Sequence, residues 1–213
     1  MSPTIHVYHL TQKPTIPGLP SWIANYVQST YDPPGDGNCG YRCVAHHLAV
    51  VYPNGPYGKP DGWHQVRTEL LEELNSNKPL WSGILGGDAG VKLVGESLTV
   101  DREAGYVPLH KWMSNVDIGP LLANRYNTPV VFVSTTGSMT YLPTTKPPGN
   151  QPTWPIFLGF INGNHWILLH LKRGLIPYPP VLGLPRTTRG KPIEPWLETI
   201  KPSLDLYIQS PTK

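Results

Sequence analysis

The chain has 213 residues, enough for one good-sized domain with its own core. Seventeen Lys and Arg against 14 Asp and Glu leave a net charge of +3, too small and too scattered to argue for nucleic acid as a partner. It has no run of about 18 or more apolar residues, so no membrane span is expected, and Met1 to Thr15 lacks the basic-then-apolar pattern of a secretory signal.

The chain divides into three parts. Residues 1–18 carry Pro3, Pro14 and Pro17 and read as an extended N-terminal arm; residues 19–172 hold the periodic segments; residues 173–213 form a Pro-rich tail with eight prolines. Proline removes a backbone donor and breaks helix interiors, so the tail is expected to hold no long helix and no central strand. Its Tyr178, Trp196, Leu204 and Tyr207 make it apolar enough to pack along the domain, or to bind a partner as an extended segment.

In chain order, Ser21 to Gln28 reads as a short helix. The stretch Gly35-Asp36-Gly37-Asn38-Cys39-Gly40-Tyr41-Arg42-Cys43 follows. Here a glycine-rich turn delivers Cys39 to the start of a helix running to Val51, with Val44, Leu48 and Val51 on one face. Free N–H groups at a helix start carry partial positive charge, which lowers a thiol's pKa and favours the nucleophilic thiolate. The N–H groups of Gly35, Gly37, Asn38 and Cys39 could converge on a developing oxyanion. Asp61 reads as the cap of a helix reaching Leu74, with Trp63, Val66, Leu70 and Leu74 on one face. Val91 to Val100 reads as an edge strand or a loop. Asp117 is the expected cap of a helix to about Tyr126, which puts Pro120 in its first turn, and Pro129 opens a strand from Val130 to Val133.

Near the end of the domain, Pro155 to Ile161 and His165 to Leu171 are apolar runs separated by Asn162-Gly163, a strong hairpin signal. His165 therefore opens the second strand, where a ring on a rigid element suits a general base. A cysteine at a helix start and a histidine on a distant strand is the layout of a thiol hydrolase. A rival grouping, Cys39, Cys43, His46 and His47 on one helix face, lacks the second ligand pair that structural zinc sites draw on, so neither metal nor cofactor is expected. Cys43 then reads as core filler. Cys39 and Cys43 lie one helical turn apart, poor geometry for a disulfide, and free thiols suit the cytosol or nucleus.

Three ordered blocks carry a resemblance. Asp36-Gly37-Asn38-Cys39 with its helix, the segment Trp112 to Ile118 with Leu121 to Ala123 and Pro129 to Val133, and Gly163-Asn164-His165-Trp166 together resemble the ovarian-tumour (OTU) family of cysteine proteases over roughly residues 20–172. The resemblance implies an α+β, papain-like fold with a small central β-sheet packed between helices. It implies a monomeric deubiquitinase that cleaves after the C-terminal glycine of ubiquitin or a similar modifier. By position, Cys39 is its nucleophile and His165 its base. Asp36 belongs to the loop that shapes the oxyanion hole with Gly37 and Asn38. Trp112 either lines the channel for the substrate tail or packs under it, and Glu96, Asp101 and Glu103 are candidates to attract the arginines of that tail.

One position departs from the family pattern. Where many members place Asn or Asp two residues after the histidine, this chain has Ile167, so the group that orients the His165 ring must come from Asn164, Asn162 or Asp36, or the centre is a dyad. Two other functions remain open on sequence: a protease acting on the polyprotein of a virus or mobile element, and a catalytically silent module that binds ubiquitin.

Overall fold

The computed structural model describes residues 16–103, 105–150, 153–182 and 192–210. At its centre is a five-stranded mixed sheet in the order β1-β5-β4-β2-β3. The strands are β1 (Val27–Tyr31), β2 (Val130–Val133), β3 (Met139–Tyr141), β4 (Ile156–Ile161) and β5 (His165–Leu171). β4 runs parallel to β2, while the other neighbours are antiparallel. The β4–β5 hairpin turns where expected: Asn162 and Gly163 take positive φ, 55° and 72°, the conformations that an Asn-Gly pair adopts at little steric cost.

Helices cover both faces of the sheet, giving an α+β domain with two apolar cores. On one face pack α2 (Cys39–Val51), α3 (Gly62–Ser76) and α6 (Asn115–Tyr126), with α4 (Lys78–Ile84) and α5 (Asp88–Leu98) beyond them. Their core joins Val44, Leu48, Val66, Leu70, Leu121 and Leu122 to Phe132, Leu158, Trp166 and Leu168 of the sheet. On the other face pack α1 (Ser21–Ala24) and α7 (Ile193–Gln209), with Trp22, Ile193, Trp196 and Ile200 against Val131, Val133, Phe157, Ile167 and Leu169. Alternation along β5 sends Trp166 and Leu168 to the first core and Ile167 and Leu169 to the second.

Four expectations need correction. The first helix stops at Ala24, and Val27–Tyr31 is an edge strand paired with β5, Tyr31 opposite Leu168. The β-branched and aromatic residues Val27, Thr30 and Tyr31 fit that half-buried surface better than a helix. Residues 88–98 form α5, neither strand nor loop, because Val94 and Leu98 recur at helical spacing and are buried in the same core as Leu74 of α3. α6 begins earlier than expected. Ser114 caps it, its side chain accepting from the Asp117 N–H, so Pro120 lies in the second turn and Asp117 in the first.

The tail supplies the fourth correction, because it contains the 17-residue helix α7. Pro195 falls in its first turn, where N–H groups have no helical partner, and Pro202 lies on its exposed side. Ile193, Trp196 and Ile200 form the buried stripe that holds it, and the Trp196 indole N–H donates to the Lys146 carbonyl at 2.9 Å. Before α7, the chain runs along the β3 edge, where Thr140 N–H donates to Pro180 O and Leu182 N–H donates to Thr140 O. The expected N-terminal arm falls outside the described residues up to residue 15. Among the described residues, no helix is long and apolar enough to cross a membrane.

Candidate active site

Cys39 is the first residue of α2 and is 3% exposed. The loop that presents it is shaped by Gly37, whose φ of +85° a side chain rarely adopts. A Cβ added at Gly37 would come within 2.6 Å of the Trp112 indole nitrogen and within 2.8 Å of Val107. Trp112 thus lies against the loop, and its N–H is spent on the Val107 carbonyl at 2.8 Å.

Asp36 closes the loop. One oxygen accepts from the Asn38 N–H at 2.9 Å, and the other from Arg42 Nε and Nη2 at 3.0 and 2.6 Å. Burial pulls this carboxyl's pKa up, but the Arg42 guanidinium and the Asn38 N–H outweigh it and hold it below its ordinary value. The Asn38 N–H is therefore committed to Asp36. The Asn38 side chain does not cap α2; its Oδ1 accepts from Arg67 Nε at 3.0 Å.

The sheet brings the histidine to this loop. The Trp166 N–H points at Cys39 Sγ at 3.5 Å, while the Cys43 thiol donates to the Trp166 carbonyl at 3.5 Å. The two thiols of α2 thus bracket one residue of β5, Trp166, through its N–H and its carbonyl, and His165 precedes it. A Cβ added at Gly35 would sit 3.8 Å from His165 Nδ1, so this ring nitrogen faces the nucleophile loop. The other nitrogen, Nε2, meets Asp32 Oδ1 at 2.7 Å. Asp32 is 69% exposed at its side chain against 17% for His165.

Sequence reasoning missed Asp32. Continuing the β1–β5 register one step past Tyr31–Leu168 puts Asp32 across from Ile167, the position where an orienting group was sought. The other candidates for that role fall elsewhere: Asn162 and Asn164 sit in the β4–β5 turn, and Asp36 is taken up by Arg42 and Asn38. A signal for Asp32 does exist in the chain, because a residue before proline is pushed to extended backbone and Asp32-Pro33 follows a Val-Gln-Ser-Thr-Tyr run.

Electrostatics reverse one expectation. Burial pushes the Cys39 thiol's pKa up, and Asp36 adds to the rise, against the Trp166 and Gly40 N–H groups that pull it down. Burial thus favours the protonated form of this thiol. Cys43 is pushed up further by burial, as suits a core residue. His46 stacks on Tyr31 with ring centroids 3.9 Å apart, and His47 bonds the Trp154 carbonyl at 3.0 Å, so the rival histidine–thiol grouping does not converge. Among the described residues, no three His, Cys, Asp or Glu side chains are grouped to hold a metal. Trp166 packs in the core, its indole N–H donating to the Met113 carbonyl at 3.2 Å. Of the acids considered for the substrate channel, Glu96 pairs with Lys92 on the surface of α5, and Asp101 accepts from the Glu103 N–H.

No protein-family model matches the chain, and no curated protein matches it in sequence. Among solved structures, the Hazara virus OTU bound to ubiquitin is similar to it at 20% identity and a TM-score of 0.48, over 71% of this chain and 86% of that one.

Proposed function

We propose that the chain is a cysteine hydrolase of the OTU type, cleaving the peptide or isopeptide bond after the C-terminal glycine of ubiquitin or a ubiquitin-like modifier. The observation that carries the chemistry is the meeting of three elements: Cys39 at a helix start, Asp32 at the other end of the loop before it, and His165 from a distant strand, beside Cys39 and with its far ring nitrogen on Asp32. The substrate class rests on the resemblance of the three sequence blocks.

His165 Nε2–H donates to the Asp32 carboxylate, which leaves Nδ1 unprotonated and facing the loop. Nδ1 takes the Cys39 proton, and the thiolate adds to the carbonyl carbon of the terminal glycine. The negative charge passes to the carbonyl oxygen, where the Cys39 N–H, without an acceptor inside α2, is a donor. The imidazolium returns its proton to the leaving amine as the C–N bond breaks. Water, deprotonated by His165, then cleaves the thioester and restores the thiol.

The test is incubation with ubiquitin carrying a C-terminal electrophile, beside probes built on other modifiers. Covalent capture of Cys39 by the ubiquitin probe is the expected result. Capture by another modifier alone would move the substrate class, and labelling that survives Cys39→Ala would remove the nucleophile assignment.

A further inference from the structure

Helix α3 buries two charged side chains, and they are treated differently. Glu69 is met by the Tyr57 and Tyr126 hydroxyls, by Gln65, and by Arg125 at 3.7 Å. Arg67, 1% exposed, has no carboxylate partner among the described residues. Its Nε donates to Asn38 Oδ1 at 3.0 Å, Nη1 to the Ser97 carbonyl at 2.9 Å, and Nη2 to the Lys111 carbonyl at 3.0 Å and the Gly37 carbonyl at 3.5 Å. The guanidinium lies over the Tyr41 ring, 3.7 Å from its centroid.

Burying a full charge without a counter-ion is costly, and a chain this size has many apolar side chains that would fill the space. The contacts indicate what the charge is for. The peptide between Gly37 and Asn38 is held from both ends, its carbonyl by Arg67 and its N–H by Asp36. That peptide lies one residue before the nucleophile. Asp36 is bonded to Arg42 and reaches Arg67 only as a nearby charge, so among the described residues the guanidinium has no directly bonded anion, and the Cys39 sulfur is one of the groups its charge acts on.

We propose that Arg67 is a positioning residue: it clamps the Gly37–Asn38 peptide beside Cys39 and supplies the buried positive charge that stabilises the Cys39 thiolate and the oxyanion formed from it. This rests on Cys39 being the nucleophile. A fixed cation in a water-poor interior acts with little reorganisation, where its field is far stronger than in bulk water. The same fork reaches Ser97 and Lys111, so it also registers α5 and the segment before Trp112 to the nucleophile loop.

The test reads Cys39 without any substrate. Other charged and titratable groups lie around Cys39: Asp36 from the loop with Arg42 bonded to it, Tyr41 and Cys43 from α2 with Asp117 of α6 acting on Tyr41, and His165 with Asp32 from the sheet. All remain in place when only Arg67 is changed. Alkylation of Cys39 by iodoacetamide, followed by mass spectrometry across pH, is expected to shift upward by about one pH unit in Arg67→Met. On a ubiquitin–fluorophore substrate, kcat should fall about 10²-fold or more, with KM changed less than about threefold. Arg67→Lys keeps the charge and loses the fork, so its alkylation profile stays near wild type while kcat falls roughly tenfold.

A merely structural arginine would lower the melting temperature and leave both the alkylation profile and kcat per folded molecule unchanged, which overturns the proposal. Where Arg67→Met does not fold, Arg67→Lys and Asn38→Ala decide, and wild-type kcat in both overturns it. If the wild type cleaves no ubiquitin substrate but the alkylation shift is seen, the substrate assignment falls and the role of Arg67 stands.

Discussion

The two faces of the sheet are built by opposite means. Around the start of α2, side chains are fixed by charge-assisted hydrogen bonds: Asp36 to Arg42, Asn38 to Arg67, His165 to Asp32. Under α7, Trp22, Trp196, Ile193 and Ile200 are fixed by apolar burial alone, with one indole N–H satisfied by Lys146. Hydrogen bonds specify direction, and burial specifies only proximity. The polar face therefore suits chemistry that depends on angles, and the apolar face suits holding the sheet in shape. Substitutions on the first should cost rate before stability, and on the second stability before rate.

The sharpest test of that division is Cys39→Ala. Turnover of a ubiquitin–fluorophore substrate should fall on the order of 10⁴-fold or more, while the melting temperature holds. Turnover lost in Cys43→Ala but kept in Cys39→Ala would transfer the role to the second thiol. On the other face, Trp196→Ala removes a fully buried ring and should cost about 3–5 kcal/mol in urea unfolding, with kcat per folded molecule unchanged. A large kcat loss there, without a stability loss, would break the comparison.

Asp32→Ala should lower kcat by roughly 10–10³-fold, short of the loss in His165→Ala, because the ring keeps its place but loses its tautomer and orientation. Asn162→Ala and Asn164→Ala should leave kcat within about twofold. If they match Asp32→Ala in effect, the exposed Asp32 hydrogen bond is not what holds the ring.

The smallest effect concerns pH. Burial, with the nearby charges of His170 and His46, holds His47 down at about 4, against its bond to Trp154. The unfolded imidazole takes its proton near about 6.5. Its contribution is thus fully present above that pH and is lost as pH falls from there toward the folded value, since the unfolded state binds the proton first. The melting temperature should drop between pH 7 and 4.5, and His47→Gln should flatten that drop.

Much of the site was legible because its signals are local. The Gly-Asp-Gly-Asn-Cys turn and the Asn-Gly hairpin need only near neighbours, and both landed where the residues say. Asp32 was hidden because its role depends on the pairing of β1 with β5, which no window of residues 21–32 contains. The helix α7 was hidden by its prolines, whose positions in the first turn and on the exposed side matter more than their number. Arg67 did leave a trace: it falls between Trp63, Val66, Leu70 and Leu74 on the apolar stripe of α3, where a charge is out of place unless it has a task.

The pairing of Asp32 with His165 across two strands also changes which positions are free to vary. Where the ring partner sits two residues along the same strand, that position must stay polar and cannot contribute to the core beneath it. Here the position is Ile167, buried in the same core as Val131 and Leu169, and the group that meets the ring is the exposed Asp32 just past β1. Selection on the ring's partner and selection on the packing under α7 thus act on different residues, so drift in one need not be compensated in the other.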